Sequence, residues 1–119
     1  MTDSLLTARV IQATDLIPKD HGGTSDPYCI LEVGDNIIES SVKLKTLNPR
    51  WDESFSFPIV TGDEILHVTV LDQDRGKEDD YEGKIQIAVR ELYNQESGDH
   101  WFDLKPNSGA QEWKGRINL

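Results

Sequence analysis

The 119-residue sequence has little cysteine, no excess of positive charge and no long apolar run. Its single cysteine, Cys29, excludes an internal disulfide bond and favours a reducing compartment. No apolar run approaches the roughly 20 residues of a membrane-spanning helix, and residues 1–20 lack the basic-then-apolar pattern of a secretory signal. We therefore expect a cytoplasmic protein whose contact with a membrane is peripheral.

Positive charge is also scarce, because 12 lysine and arginine residues stand against 22 aspartate and glutamate residues, for a net charge of −10. Nucleic-acid binding needs a basic surface, so we expect no nucleic-acid partner. An anionic membrane stays possible, because bound cations change the local charge. Motifs for nucleophilic or phosphate chemistry are missing, and His21, His67 and His100 are too scattered for a triad or a zinc site. The sequence thus favours a binding module over an enzyme.

An acidic stretch at residues 72–80 directly follows an apolar run that is typical of a strand. Side chains two apart in a strand point the same way, so Asp72 and Asp74 aim at one region. A loop through the polar residues that follow returns Asp80 to that region. Two carboxylates about 4 Å apart repel by roughly 4 kcal/mol at an effective dielectric of about 20. A hard divalent cation such as calcium, which prefers oxygen ligands, would relieve this repulsion.

Short segments of alternating polarity recur along the chain, without any sustained helical period. This pattern predicts eight strands, at residues 5–11, 28–33, 37–45, 54–57, 65–71, 84–89, 100–104 and 113–119, with Pro58 ending the fourth. One helical turn is predicted at residues 90–94. Strands spaced about 8 to 15 residues apart are typical of an antiparallel β-sandwich. We predict one all-β domain over residues 1–119.

Loops after alternate strands of a sandwich lie at the same end. The loops at 19–27, 46–51 and 72–80 follow the first, third and fifth strands, so they should be neighbours. Acidic loops are common in soluble proteins, so a solvated loop explains any one of these aspartates. Five aspartates at this spacing, however, favour a site for two or three cations. The converging residues would be Asp20, Asp26, Asp72, Asp74 and Asp80.

Three segments together resemble the C2 domain family. They are Asp-His-Gly-Gly-Thr-Ser-Asp-Pro-Tyr at 20–28, Thr-Leu-Asn-Pro-Arg-Trp-Asp-Glu at 46–53, and the acidic stretch at 72–80. The resemblance implies an eight-stranded antiparallel sandwich whose loops at one end bind calcium and dock on phospholipid membranes. Because the chain opens on the strand near residue 5 and closes on one after Trp101, its strand order is similar to the phospholipase-like (type II) arrangement.

The resemblance also implies roles for particular residues. All five aspartates would be calcium ligands, completed by main-chain carbonyl groups near Lys19, Gln73 and Glu78. Lys77 stands where members with a third ion often have Ser or Thr, so two ions are expected. The loop tips that would contact lipid lack a large apolar side chain, which implies mainly electrostatic attachment to anionic lipid such as phosphatidylserine. These tip residues are His21, Gly22, Arg75, Gly76 and Lys77.

Two alternatives stay open. Lys43, Lys45 and Arg50 could belong to a phosphoinositide-binding face, but with Glu39 opposing them we expect an ordinary solvated surface. The whole domain, expected to be a monomer, could instead be a protein-interaction or scaffolding module with a structural calcium site and no strong lipid binding. We expect the three tryptophans, Trp51, Trp101 and Trp113, to pack in or around the core.

Overall fold

The structure is a computed structural model that describes residues 4–16, 25–74, 78–92, 101–104 and 116–118. In chain order, its elements are β1 (Ser4–Thr14), β2 (Pro27–Val33), β3 (Asn36–Glu39), β4 (Arg50–Ile59), β5 (Ile65–Asp72), β6 (Asp80–Ala88), α1 (Val89–Leu92), β7 (Trp101–Asp103) and β8 (Arg116–Asn118). The predicted all-β class is confirmed. Within these ranges, no helix has the length and apolar character needed to cross a membrane.

The strands form two four-stranded antiparallel sheets, ordered β4-β1-β8-β7 and β3-β2-β5-β6. The predicted sandwich is therefore confirmed. Strand β8, from the far end of the chain, lies beside β1, as the type II order requires. The fully buried side chains between the sheets include Val10, Leu31, Phe57, Leu66, Val68 and Val70. Trp51 is buried in this core as predicted, Trp101 is 45% exposed, and Trp113 lies outside the described residues.

Several predicted strand boundaries are wrong. Strand β3 ends at Glu39 and not at residue 45, because the Ser40 hydroxyl group accepts the N–H of Cys29 at 2.7 Å and interrupts the regular ladder. Strand β4 continues through Pro58, where the sequence predicted an end. Pro58 faces Leu5 of β1, and β4 lies at the edge of its sheet in the described part of the chain. A proline has no N–H to donate, and an edge strand tolerates this loss.

Strand β6 begins at Asp80, four residues earlier than predicted, and its early part contains an irregularity. Val70 faces Gly83, whereas Leu71 faces Tyr81, so Glu82 is an extra residue in the pairing of β5 with β6. Such a β-bulge changes which side chains face the core. The helical turn predicted at residues 90–94 corresponds to α1, and the structure describes this region only as far as residue 92.

Candidate metal centre

Asp72 lies at the end of a strand whose other inward residues are apolar. Along β5, every second side chain from Leu66 onward is fully buried, and Asp72 continues this series with 0% exposure. Its Oδ1 accepts the N–H of Asp26 at 2.7 Å. Burial of a carboxylate on the core face of a sheet costs free energy unless polar groups contact it. This cost distinguishes Asp72 from the apolar core residues that precede it on β5.

Backbone pairing brings three strand ends together at Asp72. Pro27 at the start of β2 faces Asp72 on one side, and Asp80 at the start of β6 faces it on the other. The pairing extends by one further hydrogen bond, in which the N–H of Gln73 donates to the carbonyl group of Asp26 at 3.0 Å. The predicted ligands Asp26, Asp72 and Asp80 therefore occupy neighbouring positions on three adjacent strand ends.

Asp26 also contacts the segment between β3 and β4. Its Oδ1 accepts the N–H of Lys45 at 2.7 Å. The N–H of Thr46 donates to the carbonyl group of Ser25 at 2.8 Å, and the N–H of Leu16 donates to that of Leu47 at 3.0 Å. The segment around residues 45–47 thus lies at the same end of the sandwich as the acidic strand ends.

Asp79 holds the acidic loop, although sequence reasoning did not single it out. Its Oδ1 accepts the N–H of Asp74 at 2.8 Å, and its Oδ2 accepts a hydrogen bond from the Tyr28 hydroxyl group. Two hydrogen bonds lower the pKa of the Asp79 carboxyl group. The one from the Tyr28 hydroxyl group has the larger effect, and the one from the N–H of Asp74 has the smaller effect. Burial, followed by the hydrogen bond with Asp79, raises the pKa of Tyr28. These contacts tie the two sides of the loop together and fix them to β2.

Glu82 is a second acidic residue that sequence reasoning missed. Its side chain is fully buried, and its Oε1 accepts a hydrogen bond from the hydroxyl group of Ser25, also fully buried, at 3.3 Å. Glu82 is inward because of the β-bulge described above, and the signal for that bulge in the sequence is Gly83, a glycine inside a strand pattern. A buried carboxylate therefore lies close to the segment that carries Asp26.

Four of the five predicted aspartate ligands are described, and we call them the strand-end aspartates: Asp26, Asp72, Asp74 and Asp80. The fifth, Asp20, lies outside the described residues, as do Lys19 and the predicted lipid contacts His21, Gly22, Arg75, Gly76 and Lys77. Within the described ranges, no group of three His, Cys, Asp or Glu side chains is close enough to hold a metal ion.

The donors at these strand ends are nonetheless of one chemical kind. The strand-end aspartates carry carboxylate oxygens, and Gln73 and Glu78, which lie between Asp72 and Asp80 in the chain, carry main-chain carbonyl oxygens. Calcium takes six to eight oxygen ligands and tolerates flexible geometry. The donor set therefore fits calcium better than a soft transition metal, which would favour sulfur or imidazole ligands.

A sequence profile described as "C2 domain" matches residues 4–104. The chain belongs to the C2 domain family. This confirms the resemblance carried by the three motifs, and the family is one of calcium- and phospholipid-binding domains.

Similar proteins include membrane proteins and synaptotagmins. The C2 domain is 36% identical over 115 residues to mouse "Multiple C2 and transmembrane domain-containing protein 2", a match that covers 97% of this chain and 13% of that protein. It is 34% identical over 124 residues to human "Synaptotagmin-7", with 98% and 31% covered. A calcium-bound structure of Extended-Synaptotagmin 2 that contains two C2 domains superposes with a TM-score of 0.82 at 31% identity, covering 96% of this chain and 43% of that one.

Proposed function

We propose that this C2 domain binds calcium through the strand-end aspartates together with Asp20, and that the calcium-bound form attaches to anionic phospholipid membranes. The observation that carries the proposal is the pairing of Asp72 with Pro27 on one side and Asp80 on the other. This pairing places acidic residues from two distant segments on adjacent strand ends. The calcium-bound structure of a similar protein supports the identity of the ion.

In the proposed mechanism, most of the protein stays rigid. The sheet β3-β2-β5-β6 holds Asp26, Asp72 and Asp80 in place, while the carboxylates repel one another and an anionic leaflet. The strand-end aspartates and Asp20 would hold the calcium, which would supply positive charge to offset the carboxylates and to attract lipid phosphate or carboxylate groups. The surface at this end then changes from repelling the membrane to attracting it. We expect two ions and a preference for phosphatidylserine.

The proposal concerns this domain alone, because the chain spans 13% of the length of the mouse relative named above. Binding, and not catalysis, is the role that we assign to it. We propose that the domain is monomeric and cytoplasmic, and that a rise in calcium recruits it to the membrane surface.

Co-sedimentation with vesicles of phosphatidylcholine, with or without phosphatidylserine, tests the proposal directly. We expect sedimentation with phosphatidylserine vesicles in calcium, and release when a chelator is added. Salt should weaken the binding steeply, because the screening length is about 8 Å at physiological ionic strength. Sedimentation that depends on neither calcium nor anionic lipid would instead favour a protein-interaction module.

A further inference from the structure

Ser25 and Glu82 form a buried polar pair next to one of the strand-end aspartates. The Ser25 hydroxyl group donates to Oε1 of Glu82 at 3.3 Å, and both side chains are fully buried. The two residues are 57 positions apart in the chain, and Ser25 directly precedes Asp26. The hydrogen bond therefore joins the segment that carries Asp26 to strand β6.

Ser25 and Asp26 lie just before β2, where individual hydrogen bonds hold the chain in place of a continuous strand pairing. The N–H of Asp26 donates to Asp72 at 2.7 Å. The carbonyl group of Ser25 accepts the N–H of Thr46 at 2.8 Å. The bond to Glu82 holds this segment from a third direction, because β6 is on the other side of β5 from β2.

Glu82 occupies a position that core packing alone does not explain. The bulge in β6 turns its side chain inward, whereas the inward side chains that follow on the same strand, Ile85 and Ile87, are apolar. Burial of a carboxyl group costs free energy, and an apolar residue of similar volume would fill the space without that cost. Bulges next to binding sites often re-aim one side chain towards a specific contact. The contact of Glu82 with Ser25 is such a contact.

We propose that Glu82 is a positioning residue for calcium binding, which acts through the Ser25 hydroxyl group to hold Asp26 in place beside the other strand-end aspartates. The inference rests on the proposed function, because it assumes that Asp26 binds calcium. It assigns Glu82 no contact with the ion. Calcium affinity should therefore depend on this polar pair, whereas the stability of the fold should not require it.

The double variant Ser25→Ala/Glu82→Met tests this separation of affinity from stability. It removes both members of the pair together and leaves an unbranched apolar side chain in the space of Glu82. Replacement of both hydrogen-bond partners by apolar groups of similar shape changes stability little. We expect urea unfolding in chelator near the wild-type midpoint, and a calorimetric calcium affinity about fivefold weaker, the effect of about one hydrogen bond.

The conservative variant Glu82→Gln separates positioning from direct binding of the ion. Its side-chain oxygen can still accept the Ser25 hydroxyl hydrogen, so the calcium affinity should stay within about twofold of the wild-type value. A loss as large as that of Asp72→Asn would show that Glu82 is itself a ligand, and would overturn the inference.

Ile87→Val is the control for a change in stability alone. Ile87 is buried on the same strand as Glu82, and it faces Leu66 near the start of β5, away from the strand-end aspartates. Loss of one carbon atom from a core side chain should lower the urea midpoint. The calcium affinity of this variant should equal that of the wild type. A loss of affinity equal to that of the double variant would show that affinity follows stability, and would overturn the inference.

Hydrogen exchange in chelator gives a readout that needs no calcium. The N–H groups of Asp26 and Thr46 both donate at the segment that the buried pair holds. In the double variant these two amides should exchange about fivefold faster, because local opening there is easier. The N–H of Val89, which donates to the carbonyl group of Glu64 at 3.0 Å near the start of β5, should exchange at the wild-type rate. Equal acceleration of all three amides would contradict a local role.

The outcomes separate the inference from the proposed function. If the wild type binds calcium and the double variant binds it equally well, with unchanged exchange at Asp26 and Thr46, the inference is wrong and the proposed function stands. If the wild type binds no calcium, both are wrong. Weaker binding in the double variant, near-wild-type binding in Glu82→Gln and faster exchange at those two amides alone would support the assignment of Glu82.

Discussion

The hydroxyl group of Tyr28 donates a hydrogen bond to Oδ2 of Asp79, and thereby links the start of β2 to the far side of the acidic loop. Oδ1 of the same carboxylate accepts the N–H of Asp74 at 2.8 Å. Tyr28 is 8% exposed, so water competes little for this contact. Asp79 is thus a positioning residue that holds Asp74, a predicted ligand, next to the strand ends.

Removal of the tyrosine hydroxyl group should therefore weaken calcium binding without changing the ligands. A neutral hydrogen bond contributes about 0.5 to 1.5 kcal/mol, and one to a charged group more. We expect Tyr28→Phe to bind calcium about threefold to tenfold more weakly in calorimetry.

The conservative variant Asp79→Asn separates positioning from charge. An asparagine can still accept the N–H of Asp74, so affinity should stay within about threefold of the wild-type value if Asp79 acts by position. A loss as large as that of Asp72→Asn would show that Asp79 is itself a ligand.

The buried pair of Ser25 and Glu82 should contribute to stability. Removal of a hydrogen-bond partner from a buried group costs about 1 to 3 kcal/mol. We expect Ser25→Ala to lower the free energy of unfolding in urea by an amount in this range.

An exposed pair of the same residue types is the control for that measurement. Ser41 donates its hydroxyl hydrogen to Glu53 near the surface. Surface substitutions usually change stability by less than about 0.5 kcal/mol, so Ser41→Ala should have little effect. Equal losses in the two variants would mean that burial of Ser25 and Glu82 is of no consequence.

The turn before β5 should give the domain an acid-sensitive contribution to stability. The Glu64 carboxylate accepts the N–H groups of Val60 at 2.7 Å, Gly62 at 2.8 Å and Thr61 at 3.2 Å. The hydrogen bonds from Val60 and Thr61, that of the Val60 N–H first, lower the pKa of Glu64 from 4.5 to about 2. Because the folded-state pKa is the lower one, the contribution is fully present above pH 4.5 and is lost as the pH falls towards 2.

A comparison of wild type with Glu64→Gln measures this contribution. The difference in free energy of unfolding should be constant above about pH 5 and should shrink as the solution becomes more acidic. Curves that stay parallel down to about pH 2 would contradict the assignment. The calcium titration should be unchanged, because this turn precedes the start of β5, whereas Asp72 is at its end.

Calcium should stabilise the fold by mass action. A hundredfold excess over the dissociation constant raises the free energy of unfolding by about 2.7 kcal/mol for one site. Thermal unfolding should therefore occur at a higher temperature in calcium than in chelator, and the shift should be smaller for Asp26→Asn. No shift at saturating calcium would show that the native state does not bind the ion.

Much of this site could be predicted because strand periodicity and loop order are visible in the sequence. The alternation of Leu66, Val68 and Val70 places Asp72 on the inner face, and the order of strands brings Asp26 beside it. The first depends on the period of a single strand, and the second on the order in which strands and loops follow one another along the chain.

The remaining features depend on contacts between distant segments. The bulge that buries Glu82 comes from the way β6 pairs with β5, and the role of Asp79 depends on a hydroxyl group 51 residues away. A proline would end a typical strand, but β4 continues through Pro58 because β4 lies at the edge of its sheet in the described part of the chain. The hydrogen bond that holds Lys45 beside Asp26 cannot be predicted from residues 43–46 alone.

Calorimetric titration of calcium into wild type and Asp72→Asn, without lipid, tests the central claim most directly. The asparagine keeps an oxygen that can accept the N–H of Asp26, so the fold should survive while a charged ligand is lost. We predict two calcium ions per wild-type chain, and a variant with at least one site lost or strongly weakened. No heat of binding in the wild type, or identical titrations for the two proteins, would contradict the account.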